Sequence, residues 1–235
     1  MSNILSERVF AVGALDWDRR LFDELIPLPN GTSYNAYLVQ GSEKTALIDA
    51  VDPAKSQTLF GNLDRLNISR IDYLVANHAE QDHSGTIPAL LEKHPETKVI
   101  ATPKGKEMLR DLLDIPSDRF LTAEDGMAVS LGDRTLEFFH TPWVHWPETM
   151  VSYSRYDRIL FSCDFFGSHF ASTELFSSKI PRVFEAAKRY YAEIMMPFRA
   201  IIRKNIQKIK GLDIGMIAPS HGPVFDNPGL ILDAY

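Results

Sequence analysis

The sequence predicts a mixed α+β chain, with sheets at its centre and helices packed outside them. Three observations predict it. Short segments rich in β-branched and aromatic residues recur along the chain. Helical patterns lie between some of them, as in βα units. No repeat, low-complexity stretch or Gly/Ser- or Pro-rich linker divides the 235 residues, a length that suits one domain over residues 1–235. The pattern alone leaves a four-layer αββα sandwich and a three-layer αβα fold both open.

The elements follow in chain order. Strands are expected over Tyr34–Val39, Thr45–Asp49, Ile71–Ala76, Lys98–Ala101, Thr135–His140, Thr149–Ser154, Arg158–Ser162 and Gly215–Ala218. Helices are expected over Lys55–Leu66, Ile87–Lys93 and Lys104–Leu113, the last following Pro103 as a first helical turn. Near the C-terminus Phe198, Ile201, Ile202, Ile206 and Ile209 recur at helical spacing, with Gly211 as a cap. Pro197 should break the helical stretch that begins near Val183.

Composition excludes several classes. Hydrophobic residues make up 45% and charged residues 24%, which suits a packed core. The net charge of −6 argues against nucleic acid, which requires a concentrated basic surface. No run of about 18 apolar residues implies a membrane span, and the N-terminus has no signal-peptide pattern. The single cysteine, Cys163, precludes an intramolecular disulfide and fits a reducing, cytoplasmic setting. It lies in the apolar run ILFSCDFF and reads as a core residue.

The decisive segment is Asn77-His78-Ala79-Glu80-Gln81-Asp82-His83-Ser84-Gly85, directly after an apolar strand. A loop at a strand end is where a rigid scaffold presents ligands. Here two imidazoles and two carboxylates crowd together, a mixed N/O donor set without thiolate. Imidazole suits zinc, iron, copper or nickel, and carboxylate favours harder ions, so the acidic bias leans toward iron or manganese. A solvated polar turn is the plainer reading, but such a turn has no need of two histidines. Three more candidates sit at strand ends or turns: His145, Asp164 and His221, each near Gly or Pro.

HxExDH followed by His145, Asp164 and His221 resembles the ligand series of the metallo-β-lactamase superfamily. Most hydrolases of that superfamily carry His where this chain has Glu80. That change, with the words GTSYNAYLV (31–39), ALIDAV (46–51), TPWVHWPETM (141–150), LFSCDFFGSH (160–169), YYAEIMMPF (190–198) and APSHGP (218–223), is similar to the diiron domain of flavodiiron proteins and their flavin-free, oxygen-binding relatives. The resemblance covers the chain from about Asp16 onward. It implies a four-layer αββα sandwich of the metallo-β-lactamase fold. One iron would take His78, Glu80 and His145, and the other Asp82, His83 and His221, with Asp164 bridging. In some relatives the position of His83 turns away. Asp49 would support the ligand loop from behind, against the plainer reading of a turn-capping residue.

Flavodiiron proteins continue into a flavodoxin domain that binds flavin mononucleotide. This sequence has neither that domain nor a Gly-rich phosphate loop, so two iron ions and no FMN are expected within it. It also departs at Asp23, where many of those proteins carry His. The resemblance implies reaction with dioxygen or nitric oxide, in one of two classes. One is an oxygen-binding or sensing protein that signals to a partner such as a chemotaxis receptor, and the absent flavin favours it. The other is a reductase fed by a rubredoxin-type donor. A dinuclear zinc hydrolase is a third reading, disfavoured by Glu80. Homodimers are expected by resemblance. Among the aromatic residues near the ligand words, Tyr191 is the candidate to offer a hydrogen bond or proton to a bound gas.

Overall fold

The computed structural model describes residues 3–235. Two sheets form its centre. A seven-stranded sheet runs in the order Ile4–Ser6, Val9–Ala11, Tyr37–Gln40, Thr45–Ile48, Tyr73–Val75, Lys98–Ala101, Phe120–Thr122, and its last four strands are parallel. A five-stranded sheet runs Ala128–Ser130, Thr135–His140, Met150–Ser154, Ile159–Cys163, Met216–Pro219, with only its last pair parallel.

Strand alternation decides between the two layer schemes left open above. Side chains on successive strand positions face opposite ways. Tyr37, Val39, Ala46 and Ile48 of the first sheet share one buried cluster with Phe138, Ile159 and Phe161 of the second. Their neighbours Leu38 and Leu47 instead face helices, joining Leu59, Leu63, Leu90 and Leu109. On the far side Val151, Tyr153 and Leu160 pack against Val183, Ala187, Ile202 and Ile209. The architecture is therefore a four-layer αββα sandwich. Both faces of most central strands are buried, which is why they read in sequence as continuous apolar runs rather than alternating ones.

Helices Ser56–Arg65, Ile87–Lys93 and Pro103–Leu113 cover the first sheet, and Val183–Tyr190, Arg199–Ile209 and Pro228–Ala234 the second. The break expected at Pro197 takes the form of a change in winding. A π-helical segment, Tyr191–Met195, and a 3₁₀ turn, Met196–Phe198, separate the two α-helical stretches. The segment expected as one strand over Tyr34–Val39 is split at Asn35 and Ala36 into Thr32–Tyr34 and Tyr37–Gln40. Strands at the sheet margins, such as Ile4–Ser6 and Ala128–Ser130, had no sequence signal, because three residues carry too little periodicity. His94 is only 7% exposed at the end of its helix. No described helix is long and apolar enough to cross a membrane.

The inter-sheet layer supplies a stability test. Phe161 is fully buried there, its ring 5.3 Å from that of Tyr37. Phe161→Ala should lower unfolding free energy by about 3–5 kcal/mol, measured by urea denaturation.

Candidate metal centre

The candidate residues meet at one edge of the sandwich, beyond the carboxyl ends of the parallel strands. This is where open αβ sheets present ligand sites. The loop His78–His83 follows strand Tyr73–Val75, Asp164 follows Ile159–Cys163, and His221 follows Met216–Pro219. His145 comes from the turn between Thr135–His140 and Met150–Ser154. Several residues here hold left-handed backbone, which side chains other than glycine rarely adopt: Asp49 (φ 56°), Trp143 (63°), Cys163 (50°) and Phe166 (68°). Such conformations persist where surrounding structure over-determines them, and they cluster at functional sites.

The seven donors fall into two groups that share one carboxylate. His78, Glu80, His145 and Asp164 form the first, and Asp82, His83 and His221 the second. His78 Nε2 and His145 Nε2 lie 3.1 and 3.2 Å from Glu80 Oε2, and each lies 3.4 Å from Asp164 Oδ2. The other oxygen, Asp164 Oδ1, lies 3.1 Å from His83 Nε2 and 3.4 Å from His221 Nε2. Asp82 completes that group, 3.3 Å from His83 and 3.2 Å from His221. All four imidazoles thus present Nε2 to the centre, and Asp164 faces one group with each oxygen.

Residues behind this layer fix the rings. Glu148 Oε1 lies 2.6 Å from His78 Nδ1 and also accepts the Ala79 N–H at 2.9 Å. His221 Nδ1 donates to the Ser33 carbonyl at 2.6 Å. Asp49 accepts the Asn77 N–H at 2.8 Å, the Asn77 amide at 3.0 Å and the Ser220 hydroxyl at 3.4 Å. It thereby ties together the residues that precede His78 and His221. Across the sheets, the Met150 N–H donates to the Asn77 carbonyl and the Tyr37 hydroxyl to the Pro219 carbonyl. Sequence reading missed Glu148. It stood in the quoted word around His145, but its partner lies 70 positions away.

The electrostatics fit a bound cation. Among the described residues, both oxygens of Asp82, both oxygens of Asp164 and both ring nitrogens of His83 are buried without hydrogen-bond partners. Buried polar atoms without partners are rare and costly unless a missing ion satisfies them. Donor separations of 3.1–3.4 Å are close to the roughly 3 Å polyhedron edges expected for metal–ligand bonds of about 2.0–2.1 Å. Burial opposes charging of His78, but the Glu148 and Glu80 carboxylates bonded to it, with Asp164 nearby, push its pKa up to about 10. For His145, Asp164 and Glu80 override burial in the same way, also to about 10. For His83, Asp82 and Asp164 do so to about 9. Burial raises Asp164, yet His83, His145 and His221 outweigh it and hold the carboxyl well below the ordinary carboxylate range.

A cavity of about 510 Å³ opens over Glu80 and Asp82, walled by Arg19, Phe22, Asp23 and Trp146. Trp146 stands edge-on to His78, ring centroids 5.0 Å apart. Burial first, and then the Glu80 and Asp82 carboxylates, raise the pKa of Asp23. The expectation for Tyr191 is corrected. Tyr191 packs against Tyr235 at 4.9 Å, and it is Tyr190 that faces the centre, 4.9 Å from His169 and 6.0 Å from His221. The signal was present, because Val183, Ala186, Ala187 and Tyr190 form a buried stripe at i, i+3, i+4 and i+7. Tyr191 lies a further hundred degrees or so round the helix. Burial, with Asp164 close by, raises the Tyr190 phenol well above its ordinary value. Cys163 is buried, its thiol bonded by the Ser220 hydroxyl at 3.3 Å and held protonated by burial and by Asp49 and Asp164. His140 turns away, 2.8 Å from the Ala123 carbonyl.

Comparisons with known proteins show the family and the fold. The family model described as "ODP family beta lactamase" matches residues 32–222. The type A flavoprotein fprA of Rhodobacter capsulatus is 42% identical over 216 residues, covering 91% of this chain and 50% of that protein. A protein of Moorella thermoacetica named nitric oxide reductase is 34% identical, covering 98% of this chain and 59% of its own length. The structure of rubredoxin oxygen:oxidoreductase from Desulfovibrio gigas superposes with a TM-score of 0.94 at 33% identity, covering 99% of this chain and 60% of that one. The chain thus spans half to three fifths of the length of these relatives.

Two outcomes follow from the site's chemistry. Glu148→Gln should weaken metal retention on the order of 10–100-fold, measured by chelator competition. The second concerns pH. Histidines raised above 6.5 stabilise the metal-free fold fully below that value and lose the contribution as pH climbs toward 9–10. Glu148 and Asp164, held low, contribute above their ordinary values of 4.5 and 3.8 and lose that contribution in acid. Metal-free protein should therefore be most stable near pH 5–6.5, by thermal unfolding across pH. Metal uptake at pH 7 should release protons from His78, His83 and His145, detected by calorimetry in two buffers.

Proposed function

Because the chain belongs to the ODP family beta lactamase group and has the fold of the flavodiiron proteins' diiron domain, we propose that it is a non-haem diiron protein that reacts with dioxygen or nitric oxide. The observation that carries this reading is Asp164, whose two oxygens each face one three-donor group. Two nitrogen-and-carboxylate sets joined by a single carboxylate suit a pair of like ions of intermediate hardness. In this proposal His78, Glu80 and His145 hold one iron, Asp82, His83 and His221 the other, and Asp164 bridges. Asp49 and Glu148 support the ligands from behind. When bound, two ferrous ions would supply electrons and concentrated positive charge to a diatomic ligand.

The chain's own residues do the rest. Glu80 and Asp82 form the floor of the cavity through which a gas reaches the centre. Trp146 and Phe22 line its walls and limit water there. Asp23 at the mouth is raised by its surroundings and so keeps a proton more readily than a free carboxylate. Tyr190, protonated and buried beside Asp164, is placed to donate a hydrogen bond toward the centre.

Within this reading the domain acts in the cytoplasm as a homodimeric oxygen-binding or sensing protein. It would pass its state to a partner such as a chemotaxis receptor. Relatives named nitric oxide reductase and rubredoxin oxygen:oxidoreductase support the second reading, a reductase fed by a rubredoxin-type donor.

The test is to express the protein in iron-rich medium and purify it without oxygen. Roughly two irons per chain, with a near-ultraviolet absorption band on adding dioxygen or nitric oxide, are expected. Steady gas consumption with rubredoxin and its reductase would select the reductase, and stoichiometric binding the sensor. Zinc that iron cannot replace, together with esterase or phosphodiesterase activity, would overturn both in favour of a dinuclear zinc hydrolase.

A further inference from the structure

Resting on the role proposed above for Tyr190, we infer that Gly167 is the residue that positions it. The missing side chain at 167 is a seat for the Tyr190 ring, and it sets how far the phenol reaches toward the candidate metal ligands.

The turn after Asp164 has its glycine in an unexpected place. The Gly167 N–H donates to the Asp164 carbonyl at 2.9 Å and closes a turn over Asp164-Phe165-Phe166-Gly167. The left-handed position of that turn, where glycine is usual, is held by Phe166 at φ 68°. The described glycines with positive φ are Gly31, Gly126, Gly132 and Gly222, and Gly167 is not among them. Backbone conformation therefore does not demand glycine at 167.

Space does. A Cβ on Gly167 would stand 3.0 Å from Cζ and 3.1 Å from Cε1 of Tyr190. Carbon atoms settle at about 3.5–4.0 Å, so the ring would have to recede by roughly half an ångström. Cζ carries the hydroxyl, so recession displaces the polar end of the side chain. A productive site holds its groups to within about 0.5 Å. Tyr190 is 2% exposed, with the His169 and His221 rings 4.9 and 6.0 Å away, so packing decides where its hydroxyl lies. The residue also lines a cavity of about 120 Å³ with Leu28 and Ala186, which leaves the ring room to give. An added methyl should therefore move the phenol without unfolding the chain. The same Cβ would stand 3.0 Å from the Asp164 carbonyl oxygen, a contact within the turn itself.

The test separates the two contacts. The full chain is isolated without metal and with ¹³C at its tyrosine ζ carbons, and Tyr190→Phe identifies the Tyr190 signal by its loss. Gly167→Ala is expected to shift that signal while those of Tyr73 and Tyr156 stay in place. It should also lower the melting temperature, and lose most of that effect beside Tyr190→Leu, which lacks Cε1 and Cζ. In iron-loaded protein the N–O stretching frequency of bound nitric oxide reads the hydrogen bond. Gly167→Ala should move it in the same direction as Tyr190→Phe and add nothing to that variant. An unmoved Tyr190 signal overturns the proposal. So does a thermal penalty that Tyr190→Leu leaves intact, because strain at the Asp164 carbonyl is then the reason for glycine. So does a stretch that Tyr190→Phe moves and Gly167→Ala does not. If neither variant moves it, the role of Tyr190 falls and the proposal with it. A chain that takes no iron fails the diiron reading instead, and the ring signal and melting temperatures still decide the seat.

Discussion

Everything at the active edge depends on the burial of negative charge at Asp164. The carboxylate is 1% exposed, and among the described residues neither oxygen has a hydrogen-bond partner. An isolated buried carboxylate is prohibitively expensive, so such a group must be neutralised by protonation, by cationic partners or by metal. Here His83, His145 and His221 crowd its two oxygens and lower its pKa strongly. Four imidazoles and three carboxylates in one volume are therefore mutually dependent. Without cations the imidazoles must hold protons, and with cations they must give them up.

The two-sheet architecture makes that concentration possible. Parallel strands end at the same edge, so loops far apart in sequence converge there. Asp49 converts the convergence into a rigid arrangement by accepting hydrogen bonds from Asn77 and Ser220, residues 143 positions apart in the chain (220 minus 77), each preceding a candidate metal-ligating histidine. The tight backbone at Asp49, Cys163 and Phe166 accompanies this convergence and is consistent with strain that the packed sheets are able to hold.

Much of this was legible in the sequence, and the exceptions have physical reasons. The loop His78–His83 advertised itself because so many donors of mixed type sit together after an apolar strand. The central strands and the helices Ile87–Lys93 and Pro103–Leu113 were read nearly to their ends because long apolar runs and helical spacing are strong signals. Layer order was not available from pattern, since strands buried on both faces lose their alternation. Glu148 was invisible because hydrogen bonds between distant loops leave no local trace. Tyr190 and Tyr191 were confused although the buried stripe separates them, and the π-helical winding that begins at Tyr191 further changes which side chains turn inward.

The donors are also divided between the halves of the molecule. His78, Glu80, Asp82 and His83 hang from the first sheet, while His145, Asp164 and His221 hang from the second. A pair of ions held by all seven would act as a clasp across the seam. Release of either ion would then require the sheets to part locally or their loops to peel away. The lifetime of the loaded state would be governed by how often the sandwich breathes, and not by the strength of any one bond.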